Sequence, residues 1–192
     1  NGYMLTTQSG NTGGMTWAEA GGGAWNLLST VTASDDGRID CTLSGSYSNY
    51  AIILSGVSPV TDNTQLLVRM STASITSDGT SNRYRYVCRS SLDDGGNNDY
   101  QSQGEDKGKI VGDSLGNAAG ESLEATIHIG HDSDHQNSTR LNILSAHTGN
   151  AGRACTNQAC VVYNPRVAVT AINFLMNSGN INYGIFKVYG IS

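Results

Sequence analysis

His128, His131 and His135 share one short stretch with Asp132 and Asp134. Imidazoles and carboxylates this close are ligand types for a divalent ion, the more so if symmetry repeats them around an axis. Alternation with Ile127 and Ile129 places His128 on the outward side of a strand, and residues 130–137 then read as a loop. Zinc sites also want fixed spacing and supporting hydrogen bonds, so a hydrated turn is the competing expectation for this cluster. Arg83, Arg85 and Arg89 read as a basic stripe on one strand face, with Arg69 beside it. Such a stripe suits an acidic saccharide or a neighbouring subunit, against the plainer expectation of a solvated face or pairing with acidic residues on adjacent strands. The tyrosines and tryptophans offer stacking platforms for sugars, although Tyr84 and Tyr86 fall at inward positions. Asp35, Asp36, Asp93 and Asp94 sit in Asp-Asp-Gly turns, which turn chemistry explains without a catalytic acid pair.

Gly112-Asp-Ser-Leu115 resembles the nucleophile block of the GDSL (SGNH) esterases, and Gly112 to Gly116 also satisfies G-x-S-x-G. Gly96-Asn-Asn-Asp99 is similar to that family's oxyanion block, and Asp132-Ser-Asp-His135 to its D-x-x-H. The resemblance would make Ser114 the nucleophile and His135 its base, with Asn and Gly donors holding the oxyanion. The order is wrong for the family, whose serine block comes first. The family also needs a parallel sheet wrapped in helices, and no amphipathic helix is legible here. We therefore read Asp113-Ser114-Leu115 as an ordinary loop turn and expect no catalytic residues and no cofactor.

The elements that must carry these residues are strands. From Trp25 onward helical periodicity is absent and two-residue alternation recurs: Ile39, Cys41 and Leu43; Leu66, Val68 and Met70; Tyr84, Tyr86 and Cys88; Ala125, Ile127 and Ile129; Leu141 and Ile143. Residues 50–57 and 167–176 are more continuously apolar, as central strands of a sandwich would be. Turn signals at Asp35-Asp-Gly37, Ser77-Asp-Gly79 and Thr148-Gly-Asn150 separate the runs. The expected fold is all-β, an antiparallel, jelly-roll-like β-sandwich of nine or ten strands, with residues 91–120 as a long irregular insertion. Residues 172–191 read as an apolar hairpin that closes the core.

Composition narrows the partners. Of 192 residues only 14% are charged, net charge is -5, and Gly numbers 24 against 2 Pro. Such a chain is unsuited to general nucleic-acid binding or anionic membranes. It carries no apolar run of about 18 residues, so no membrane-inserting segment is expected. Cys41 and Cys88 fall at inward strand positions, whereas Cys155 and Cys160 flank Thr-Asn-Gln-Ala and are placed to close a small loop disulfide. Residues 1–23 are polar and Gly-rich, with Met4, Leu5, Met15 and Trp17 as isolated anchors; they form an extended lead-in to a domain at 24–192. An opening at Asn1 rather than Met suggests the C-terminal part of something longer.

Three stretches resemble bacteriophage virion proteins, the tail-fibre-like structural proteins. They are Gly2-Tyr-Met-Leu-Thr-Thr-Gln-Ser-Gly-Asn-Thr-Gly-Gly-Met-Thr-Trp-Ala18; Ala24-Trp-Asn-Leu-Leu-Ser-Thr-Val-Thr-Ala-Ser-Asp-Asp36 with Tyr50-Ala-Ile-Ile-Leu54 and Val57-Ser-Pro-Val-Thr-Asp62; and Gly116-Asn-Ala-Ala-Gly-Glu121 with the ending Ile172-Asn-Phe-Leu-Met-Asn-Ser-Gly-Asn-Ile-Asn-Tyr-Gly-Ile-Phe-Lys-Val-Tyr-Gly190. The resemblance implies a structural virion component, the terminal β-sandwich domain of a homotrimeric tail or head fibre. Residues 1–23 would contact neighbouring chains and other virion proteins, and exposed loops at 91–120, 130–137 and 148–158 would meet a host-surface glycan or protein. A capsid decoration protein is the nearest alternative.

Overall fold

The structure, a computed structural model, describes residues 3–7, 15–19, 24–44, 47–130 and 137–192. The first strands, β1 (Tyr3–Thr7) and β2 (Met15–Glu19), pair antiparallel with each other in a two-stranded ribbon. The remaining strands are β3 (Trp25–Asp36), β4 (Ile39–Thr42), β5 (Asn49–Pro59), β6 (Leu66–Thr72), β7 (Tyr84–Leu92), β8 (Asn97–Glu105), β9 (Gly108–Lys109), β10 (Leu123–Gly130), β11 (Thr139–Thr148), β12 (Ala154–Tyr163), β13 (Val169–Met176) and β14 (Ile181–Ile191). They form an eight-stranded sheet in the order β3-β14-β5-β10-β11-β12-β7-β8 and a four-stranded sheet in the order β4-β13-β6-β9.

The fold is all-β, an antiparallel sandwich whose core lies between these sheets. Alternation creates it. Along β11, Leu141 and Ile143 are fully buried while Arg140, Asn142 and Leu144 face out. Each such inward aliphatic contributes about 1.5–3 kcal/mol of burial. Both continuously apolar segments are flanked on both sides, β5 by β14 and β10, β13 by β4 and β6. The sheets are unequal, and the short one cannot cover the long one alone. Residues 110–115 cover part of what remains, inserting Ile110, Val111 and Leu115 at zero exposure. Backbone bonds between Leu115 and Thr64 fasten that segment to the residues just before β6.

Three expectations need correction. Residues 172–191 do not form a hairpin: β13 lies in the four-stranded sheet and β14 in the eight-stranded one. The turn between them steps from one layer to the other, and their inward faces meet across the core. Residues 91–120 are not one long loop, because β8 pairs with β7 along its length and β9 pairs with β6. The expected loop at 148–158 shrinks to a turn at 149–153, after which β12 begins. The apolar ending does hold a central place, since β14 pairs with β3 and β5. Its Gly190 has a packing reason: a Cβ there would collide with the Tyr47 ring, which lies against the strand.

Candidate functional site

The outward side of the eight-stranded sheet is the broadest surface of the sandwich, and its register sets residues from distant strands in line. One row runs Leu27, Tyr189, Ala51, His128, Asn142, Cys160, Val87, Gln101 from β3 to β8. The next runs Trp25, Ile191, Asn49, Gly130, Arg140, Val162, Arg85, Gln103. Neither row contains an Asp or Glu.

At the β3 end, Trp25 meets His128 edge-on with ring centroids 5.6 Å apart, and Tyr189 at 5.7 Å. These rings explain Ala51, which is fully buried yet does not belong to the core cluster. A small residue on the outer face leaves room for three rings to close above it. The resulting platform stays open to solvent, with Trp25 at 42% exposure. Aromatic edges and faces of this kind suit the C–H face of a sugar ring, with polar tips left for its hydroxyls.

At the β8 end lies a shallow depression of about 480 Å³ lined by Arg85, Val87, Gln101, Gln103, Cys160 and Val162. The basic stripe expected on β7 is largely neutralised. Arg89 pairs with Asp99 at 3.0 Å, Arg83 lies 3.9 Å from buried Asp78, and Arg69 pairs with Asp106 at 2.5 Å. Arg85 alone of the stripe is outside any ion pair among the described residues. Arg140, two strands away, also lacks one among the described residues; its guanidinium donates to the Ser138 carbonyl at 3.4 Å.

The metal cluster expected at His128, His131 and His135 is only partly in view. His128 belongs to the aromatic platform, while His131, Asp132, Asp134 and His135 lie outside the described residues. Among the described residues no group of three His, Cys, Asp or Glu side chains is placed to hold a metal.

The disulfide expected between Cys155 and Cys160 does not form. Both residues lie on β12, and five residues of extended strand span about 17 Å against the 4.4–6.8 Å that a disulfide allows between Cα atoms. An odd separation also turns them to opposite faces, Cys155 buried and Cys160 exposed, and all four cysteines are free.

The esterase-like blocks come to rest in structural roles. Gly112 donates its N–H to Asn157 Oδ1 at 3.1 Å, and a Cβ there would collide with Ser90 Oγ. Asp113 Oδ1 accepts from the Ser114 N–H at 2.9 Å, closing a local turn. Gly96-Asn-Asn-Asp99 spans the end of the β7–β8 turn and the start of β8, where Asp99 is held by Arg89 and Asn97 by Ser91. His135, the expected base, lies outside the described residues.

A buried polar group not anticipated from sequence sits beneath this segment. Asn157 accepts from Ser90 and Gly112 and donates to Ser145 at 3.1 Å and to His147 Nδ1 at 3.1 Å. Accepting through Nδ1 leaves the proton on His147 Nε2, which is buried and has no partner among the described residues. Burial pushes the imidazole below its ordinary value, with Asp113 opposing the shift. These residues fix the 110–115 segment to the sheet. The signal for them was alternation on β11, which puts Ser145 and His147 in the inward register of Leu141 and Ile143. The platform was harder to read, because Trp25, Tyr189 and His128 meet only through the strand order.

Compared with protein-family models and with curated proteins, the chain matches none.

Proposed function

We propose that this chain is a non-enzymatic structural component of a phage virion, the terminal domain of a homotrimeric tail or head fibre, and that it attaches the particle to a host-surface glycan or protein. The observation that carries the attachment reading is the outer face of the eight-stranded sheet, where an aromatic platform and a shallow depression lie along carboxylate-free rows. A rigid sheet holds these groups at fixed spacing, so little ordering cost attends binding. In this reading the contact surface is the sheet face. Virion placement rests on the resemblance of residues 2–18, 24–36, 50–54, 57–62, 116–121 and 172–190 to tail-fibre-like proteins. In this reading the β1–β2 ribbon, which forms a separate two-stranded sheet among the described residues, is the part that meets neighbouring chains and other virion proteins.

Imaging the assembled particle with this chain placed in it tests the reading. Density for three copies at the end of a fibre is the expected result. Copies seated on the capsid shell, with residues 1–23 buried against it, would replace attachment by capsid decoration.

A further inference from the structure

The attachment reading leaves the ligand open between glycan and protein; the charge pattern of the sheet narrows it. The chain is acidic overall, with 16 Asp and Glu against 11 Lys and Arg. Yet two adjacent outer rows, each crossing all eight strands, hold no carboxylate and two arginines, Arg140 and Arg85, facing Val162 from either side. Lys187 on β14 adds a third cation one row away, in the row that also holds the Arg89–Asp99 pair. Asp93 and Asp94 in the β7–β8 turn and Glu124 at the start of β10 lie at the opposite ends of these strands, whereas on β8 Asp99 is paired with Arg89 and Glu105, at the near end, accepts from Ser102. Asp94 is engaged with Arg153 at 2.9 Å and Glu124 with the Gly56 N–H at 2.7 Å.

Two exposed arginines outside any ion pair among the described residues, in an acidic protein, are a place for an anion. Guanidinium groups match carboxylates in a planar, two-bond geometry. Arg140 and Arg85 stand two strand spacings apart, about 10 Å, with the amides of Asn142, Gln101 and Gln103 beside them as hydroxyl partners. Beyond them the same rows lead to the Trp25–Tyr189 platform. The distance from β3 to β7 is six strand steps, or about 29 Å. That geometry fits a linear chain lying across the strands. A second copy of this protein fits less well, because the exposed apolar residues of the face fall in separate places, Trp25 and Leu27 on β3, Leu144 on β11 and Val87 on β7.

Resting on the attachment reading, we propose that the outer face of the eight-stranded sheet binds a linear acidic oligosaccharide, with Arg85 and Arg140 taking its carboxylates and Trp25 and Tyr189 stacking on one of its rings.

Calorimetric titration of the full chain with an oligogalacturonate long enough to span the face tests this. The probes are the carboxylated oligomer, its carboxyl-reduced neutral counterpart and a sulfated dextran of similar length. The carboxylated oligomer should bind and the reduced one should not. Arg85→Ala and Arg140→Ala should each weaken binding about tenfold or more, the usual worth of a charge-assisted hydrogen bond. Arg153→Ala, at the far end of the strands, should leave it unchanged, and thermal melts should show all three variants folded. Equal binding of the reduced oligomer, preference for sulfated dextran, or undiminished binding by the two variants would overturn the assignment. So would a change in sedimentation of the Arg85→Ala, Arg140→Ala double variant, which would mark the face as a contact between copies. Purified chain that blocks particle adsorption while ignoring oligogalacturonate would overturn the acidic-sugar proposal alone; failure in both assays would remove the attachment reading with it.

Discussion

Phe174 and Phe186 face each other across the sandwich, ring centroids 5.2 Å apart and planes inclined by 44°. They belong to consecutive strands, β13 and β14, that lie in different sheets. Both are fully buried, so the pair is where the two layers are joined. Truncating either ring should cost about 3–5 kcal/mol, from lost burial and the cavity left behind. Denaturant unfolding of Phe174→Ala and Phe186→Ala should show this, and the double variant should lose less than the sum, because the rings share one contact.

This pair also shows what the sequence could and could not convey. Alternation marked the inward faces of β4, β6, β7, β10 and β11 because large apolar residues line them. It did not reveal which sheet a strand joins, so two strands with a turn between them looked like a hairpin. β8 escaped because it is an edge strand, polar on both faces, with Tyr100 its sole aromatic. β12 begins with inward Cys155, Asn157 and Ala159, too small or polar to signal a buried face. The ion pairs that neutralise Arg83, Arg89 and Arg69 depend on partners from other segments. The same holds for the platform on Ala51, so neither could be read along the chain.

Asp78 is a second structural anchor, fully buried and held by Tyr163 and by the Thr80 N–H at 3.0 Å. Burial works against its ionisation, but hydrogen bonds from Tyr163 and Thr80 and the nearby Arg83 outweigh it and keep the carboxyl below its ordinary value. Its contribution is therefore complete above the unfolded value of about 3.9 and fades as pH falls through the folded one. Stability curves between pH 5 and pH 2.5 should fall more steeply for the wild type than for Asp78→Asn. Tyr163→Phe, which removes a donor to a buried charge, should cost about 1.5–3 kcal/mol at neutral pH.

His147 acts in the same direction at higher pH. Its imidazole is held neutral by burial, so the unfolded chain binds a proton more readily once pH drops below about 6.5. Stability present above that value should decline as pH falls toward the folded one. Replacing His147 by Gln should flatten this part of the pH profile between 7 and 5, measured by chemical unfolding at each pH. An unchanged slope would mean that the buried network does not hold the ring neutral.

The thiols offer a direct check on strand β12. Cys160 is exposed, whereas Cys41, Cys88 and Cys155 are buried. Burial pushes Cys41 to about 12 and Cys88 and Cys155 to about 11, with Asp113 adding to the rise at Cys155. A thiol reagent at neutral pH should modify one cysteine in the folded protein and four after unfolding, without prior reduction. Mass spectrometry should place the single label on Cys160.

The central claim is that the outer sheet face makes the attachment. The most direct measurement is particle adsorption to host cells pre-saturated with purified chain, either wild type or carrying Trp25→Ala, Arg85→Ala and Arg140→Ala together. The account predicts that the wild-type chain suppresses adsorption and that the folded triple variant does not. Equal suppression by both chains, or by neither, would contradict it.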